Sequence, residues 1–157
     1  MKKNLLLCLL LSVALPFTTV YAQTEEVAIR KTIDAVWPSF EKHDLTTFGS
    51  FFKNSPDLYY QVNTPDNRLI VAHGWENMKK MIGGYFQNTP IAAQPATFSA
   101  TESRIRVAGN TAVVTENIDV NGQKSLHLVT LEKMAGVWKI TAFMGESNVA
   151  DKLIVVK

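Results

Sequence analysis

A carboxylate and an imidazole stand at matched positions in the stretch TAVVTENIDVNGQKSLHLVT, residues 111–130. Asn121-Gly122 suits a two-residue hairpin turn, because both residue types accept the backbone conformation such turns require. Counting outward from that turn pairs Val120 with Gln123, Ile118 with Ser125, and Glu116 with His127. Directly opposed side chains on one sheet face have Cβ atoms roughly 4.5–5.5 Å apart, so these two can touch. A glutamate there orients the ring and favours its protonated form, and the imidazole then exchanges a proton near neutral pH. Dehydration, isomerisation, cyclisation and epoxide opening of a small apolar substrate are all within reach of such a pair without a cofactor. The plainer reading is a buried polar pair that only satisfies itself.

The same counting from Gly109-Asn110 pairs Val107 with Ala112, Ile105 with Val114, and Ser103 with Glu116. In the last hairpin the apolar pattern sets Val129 and Leu131 on the face of Trp138, Ile140, Ala142 and Met144. One face then reads in rows that begin oily and end polar. Its third row is Ser103, Glu116, His127 and Met144, and its fourth is Thr101, Ile118, Ser125 and Glu146. Such a gradient describes a pocket with a closed apolar bottom and a polar upper ring, where Ser103 and Met144 flank the central pair.

Other residues qualify as lining. Tyr60 shares its strand face with Leu58 and Val62 and carries a hydroxyl. His73, beside Gly74, is placed for the pocket mouth. Trp37, Phe40, Trp75 and Phe86 are helix-face aromatics, with core packing as the first reading of each and ligand lining as the second. Arg30 and Asp34, four apart, read as a solvated helical pair. His43, His73 and His127 lack zinc-like spacing. Neither a phosphate-binding glycine loop nor a nucleophile elbow is present, and no metal or cofactor is expected.

These side chains need elements to hold them. Apolar residues at 29, 33, 36, 37 and 40 predict a helix after Gln23, with Thr24 as its N-cap, Glu25 and Glu26 in its first turn, and a kink or break at Pro38. DLTTFGSFF predicts a short helix presenting Phe48, Phe51 and Phe52. DLYYQV and RLIVAH predict a hairpin around NTPDN. Beyond Gly74, Trp75, Met78, Ile82 and Phe86 make one helical stripe, whose last turn Gly83 and Gly84 weaken. Strands follow from residue 97 onward. The order is that of an α+β domain.

Phe51-Phe52, Gly74, the GNTAVVT turn and strand, and GVWKI, in this order and spacing, resemble the nuclear-transport-factor-2-like superfamily, particularly its SnoaL-like branch. The resemblance covers nearly the whole chain after residue 22. It implies a cone-shaped α+β roll, with N-terminal helices packed on a curved, mainly antiparallel sheet and a pocket between them. It also implies a dimer in many members. Isomerases, dehydratases, epoxide hydrolases, cyclases and non-catalytic binding or assembly domains all share that superfamily. No member's catalytic set maps onto this chain, and fold alone does not supply function.

Residues 1–22 combine Lys2-Lys3, a short apolar run and the VYA site, the pattern of a secretory signal peptide cleaved after Ala22. The expected domain is residues 23–157, periplasmic or secreted, with no membrane contact once the signal is gone. Cys8, the only cysteine, falls in the signal, and loss of Lys2 and Lys3 leaves 14 basic against 14 acidic side chains. That balance gives no reason to expect a nucleic-acid surface. Val113, Leu126, Leu128 and Phe143 form an apolar patch on the other sheet face, read as a homodimer surface. Two functions follow: a small, largely apolar molecule bound in the cone, with or without acid/base chemistry, or a non-catalytic dimeric binding or assembly module.

Overall fold

The computed structural model describes residues 23–63 and 68–147. The expected signal peptide and most of the NTPDN turn lie outside these residues. A first helix, α1, is under way at residue 23 and runs to residue 41. Thr24 is therefore inside the helix and does not cap it at its start. Pro38 does not break it either. The carbonyl that Pro38 leaves without an N–H partner belongs to Asp34, which is exposed, so water can satisfy it. Ile29, Ile33 and Val36 form the buried stripe. Glu25 is also buried, its carboxylate accepting from Lys133 Nζ (2.6 Å) and Trp138 Nε1 (2.8 Å). A residue expected only to favour the helix dipole thus also ties α1 to the sheet.

Asp44 caps α2 (Leu45–Ser50), accepting from Thr47 N at 2.9 Å. Strands β1 (Tyr59–Asn63) and β2 (Leu69–His73) form the expected hairpin. Gly74, at φ +81°, leads into α3 (Trp75–Asn88), which stays helical through Gly83-Gly84. β3 (Phe98–Ala108), β4 (Thr111–Val120), β5 (Gln123–Met134) and β6 (Val137–Ser147) complete a six-stranded sheet in the order β2-β1-β6-β5-β4-β3. Only the β1–β6 pair is parallel. Helices cover one face of this open, curved sheet, giving the cone-shaped α+β fold. Its core joins the α1 stripe to Phe48, Met78, Val114, Val129, Leu131 and Ile140. Among the described residues no helix is long and apolar enough to cross a membrane.

Register follows the turns until two threonines interrupt it. Ser103 pairs with Glu116, and Glu116 with His127, as the turn counting requires. Thr101, however, has no partner, because Ala100 pairs with Ile118 and Glu102 with Asn117. Its hydroxyl bonds Asn117 O at 3.0 Å. Thr141 is likewise skipped between Ile140↔Leu131 and Ala142↔Thr130, and its hydroxyl meets that of Thr130 at 2.8 Å.

Each skipped residue is a β-bulge, which shifts every later side chain to the opposite face. Beyond Thr141 the inward residues are therefore Phe143 and Gly145, whereas Ala142, Met144 and Glu146 face outward. The expected placement of Met144 in the pocket, and of Phe143 on the outer patch, is corrected on both counts. Beyond Thr101, Ala100 and Phe98 face the helices and Thr101 does not. The magnitudes favour this arrangement. Burying a phenylalanine stabilises by roughly 1.5–3 kcal/mol, against about 1 kcal/mol for one ladder hydrogen bond.

Candidate functional site

Helix α1 lies antiparallel to β3, and residues at helical spacing meet successive points along the chain opposite. Arg30 reaches Ser103, Trp37 stacks on Phe98, and Glu41 accepts from Ala96 N at 2.5 Å. Trp37 is the centre of this row. Its ring lies 5.0 Å from Phe98 at 20°, 5.6 Å from the His127 imidazole at 30°, and 6.3 Å from Phe143 edge-on. Both bulges therefore serve one place, since each delivers an aromatic ring to Trp37.

Around these rings the cone opens in two adjoining lobes. The outer lobe, about 350 Å³, runs from Trp37 and Phe98 past Glu41, Gln123 and Ser125. The inner lobe, about 290 Å³, is bounded by Tyr60, Ile70, Met81, Ile82 and Phe143. Trp37, Phe40, Tyr85 and His127 border both lobes. Gly145 gives the inner lobe room. A Cβ there would stand 2.9 Å from the Phe143 ring and 3.4 Å from the His127 ring.

His127 is 5 % exposed, and no hydrogen bond among the described residues ends on its ring. No buried side-chain polar atom among those residues lacks a partner, so the imidazole nitrogens open onto the recess. Burial pushes the His127 pKa down to about 4, and the Glu116 carboxylate offsets this only in part. The imidazole is therefore neutral at pH 7, not the protonated ring expected beside a glutamate.

Glu116 is committed elsewhere. Its carboxylate is 3 % exposed, accepts a hydrogen bond from the Arg30 guanidinium, and receives the Ser103 hydroxyl at 3.3 Å. Arg30 also donates to Ser103, while Asp34 is only a distant neighbour at 4.0 Å. The expected helical pair of Arg30 and Asp34 forms, but the guanidinium lies closer to Glu116. Burial lifts the Asp34 pKa, Arg30 opposes that rise, and Glu116 adds to it. Neither Glu116 nor Ser103 borders either lobe.

Of the other expected lining residues, Trp37, Phe40 and Tyr60 border the recess, and burial raises the Tyr60 pKa. His73 and Trp75 sit instead along a separate groove with Asn54 and Pro56. Phe86 stacks on His43 at 4.6 Å and packs against the core without bordering either lobe. Phe98, Tyr85, Phe143 and Glu41 were missed. Glu41 and Tyr85 were legible through helical spacing from Trp37 and Ile82, whereas the two phenylalanines depend on the bulges. Among the described residues no group of three or more His, Cys, Asp or Glu side chains could hold a metal ion.

The profile of the SnoaL-like domain matches residues 29–144, most of the chain. The chain belongs to the SnoaL-like family. Solved structures bear out its fold. An NTF2-like protein of unknown function from Pseudomonas putida KT2440 superposes with a TM-score of 0.64 at 11% identity, covering 79% of this chain and 87% of that one. A cystatin-like-fold protein of unknown function from Nostoc punctiforme gives 0.61 at 14% identity, with coverage of 80% and 92%. A proposed dehydratase of the NTF2-like family from Streptomyces avermitilis gives 0.60 at 19% identity, with coverage of 80% and 96%. A comparison with curated proteins gives no match. At these identities the likeness concerns the SnoaL-like fold and not the chemistry.

Proposed function

We propose that this exported SnoaL-like domain binds a small, largely apolar molecule in the two-lobed recess, without acid/base chemistry by a Glu116–His127 pair. The observation that carries this reading is the buried, neutral His127 ring, which bonds nothing among the described residues and opens onto a recess walled by Trp37, Phe40 and Phe143. An apolar pocket with a few convergent polar groups is the usual form of a small-molecule site. A ligand hydroxyl or carbonyl would meet the imidazole, and its hydrocarbon body would fill the inner lobe.

Glu116 weighs against the catalytic alternative, because its carboxylate is spent on Arg30 and lies away from both lobes. Native mass spectrometry of the protein purified from its export compartment is expected to show a retained small molecule. In addition, 4-phenylbutan-1-ol should quench the tryptophan fluorescence saturably, and His127→Phe should weaken that binding by about fivefold, the worth of one hydrogen bond. Absence of saturable binding, or unchanged affinity in His127→Phe, removes the reading.

Export rests on the pattern of residues 1–22 and places the domain in the periplasm or outside the cell. We also propose a homodimer through the outer sheet face. Leu126 and Leu128 belong to that face, Val113 is 42% exposed there, and Met144 takes the place that turn counting assigned to Phe143.

A further inference from the structure

The charges around the two lobes are one-sided. Among the described residues that border them there is no lysine and no arginine, and Glu41 is the single acid. Glu41 follows Trp37 by one helical turn and borders the outer lobe with Trp37, Phe40, Tyr85 and Phe98. Trp37 and Phe40 meet nearly at right angles, 79° with centroids 6.0 Å apart. Each of these rings has a stacked neighbour that also borders the lobe, Phe98 on Trp37 and Tyr85 on Phe40 at 5.4 Å. A corner of π faces beside a carboxylate attracts an organic cation, because ring quadrupoles and the acid act with the same sign. Among the described residues the inner lobe adds no charged side chain to those it shares with the outer one.

We propose that the recess takes a cationic amphiphile, with an alkylammonium head in the Trp37–Phe40–Glu41 corner and a hydrocarbon or aryl body in the inner lobe. This rests on the small-molecule reading above and adds the charge of the ligand. The walls select against carboxylates for a plain reason. An anionic head would lie beside Glu41 and against aromatic rings, with no arginine or lysine among the described residues of the lobe to receive it. A cation needs no new partner there. Glu41 Oε1 is already oriented by Ala96 N, so the carboxylate is held in place before a ligand arrives.

Three probes of similar length separate the possibilities: (3-phenylpropyl)trimethylammonium, 4-phenylbutan-1-ol and 4-phenylbutanoate, each titrated calorimetrically into the full mature protein. The ammonium is expected to bind about tenfold more tightly than the carboxylate. Glu41→Gln keeps the acceptor for Ala96 N, and should weaken the ammonium about threefold to fivefold while leaving the alcohol within about twofold. Tyr85→Leu preserves apolar volume at a half-exposed position and should cost the ammonium more than the alcohol. Thermal unfolding of each variant reports whether it is folded. Binding of the alcohol or carboxylate as tightly as the ammonium, or an ammonium affinity unchanged in Glu41→Gln, overturns the cation proposal alone. Failure of all three probes to bind overturns it together with the small-molecule reading.

Discussion

Arg30 decides what Glu116 can do. A buried carboxylate opposite a histidine looks like half of a proton relay, yet the guanidinium from α1 holds it as the anchor of a helix. Removing that guanidinium leaves the carboxylate buried and uncompensated, so Arg30→Met should cost about 3–5 kcal/mol in urea unfolding. The double variant Arg30→Met with Glu116→Leu should recover most of that loss. His127 yields a prediction of opposite character. Its folded-state pKa of about 4 lies below the ordinary 6.5, so between those values the unfolded chain binds the proton and the folded chain does not. Its contribution to stability is whole above about pH 6.5 and is lost as pH falls toward 4. Between pH 7 and pH 5 the loss should approach about 2 kcal/mol, and His127→Phe should flatten that slope. The ring should titrate near 4 by NMR, and lower still in Glu116→Gln, because the neighbouring negative charge is what holds it up. A titration near 6.5 in the folded protein would contradict the burial argument.

At the level of elements, hairpin turns and helical periodicity carried most of the architecture. Asn121-Gly122 and Gly109-Asn110 placed Ser103, Glu116 and His127 in one row, and the succession of helices and hairpins pointed to an α+β domain, whereas the parallel β1–β6 pair left no mark in that succession. Turn counting fails beyond a bulge, since an extra residue leaves no compositional mark. Thr101 and Thr141 are ordinary strand residues by propensity, and only tertiary packing of Phe98 and Phe143 explains why the ladder skips them. Partner choice was similarly hidden. Arg30 is four residues from Asp34 along the helix but bonds a carboxylate on another element, a contact that needs the helix-to-sheet docking angle. Element packing also reverses one propensity rule. Glycine to alanine within a helix ordinarily gains up to about 1 kcal/mol. In α2 a Cβ on Gly49 would sit 2.4 Å from the Trp75 ring, so the ring or the helix beneath it must give way. Gly49→Ala should therefore destabilise by about 1–2 kcal/mol, measured by chemical denaturation.

For the whole molecule, one face of the sheet is spent on the helices and recess while the other faces outward. The half-buried leucines of that outer face, with Val113, are the proposed seat of self-association. Sedimentation velocity should give a dimer, and Leu128→Glu should convert it to monomer without disturbing the recess on the opposite side. A monomer in the unmodified protein would remove the dimer and leave the binding site standing. Both bulges have a consequence for how such a cavity diversifies. Pairing Thr141 into the ladder at unchanged length would exchange Phe143 for Met144 inside, and pairing Thr101 would exchange Phe98 for Ser99, with no residue replaced. Ligand preference in this scaffold is thus partly written in whether the ladder skips a residue. Two homologues of equal length that differ only in such a bulge would present different walls to what they bind.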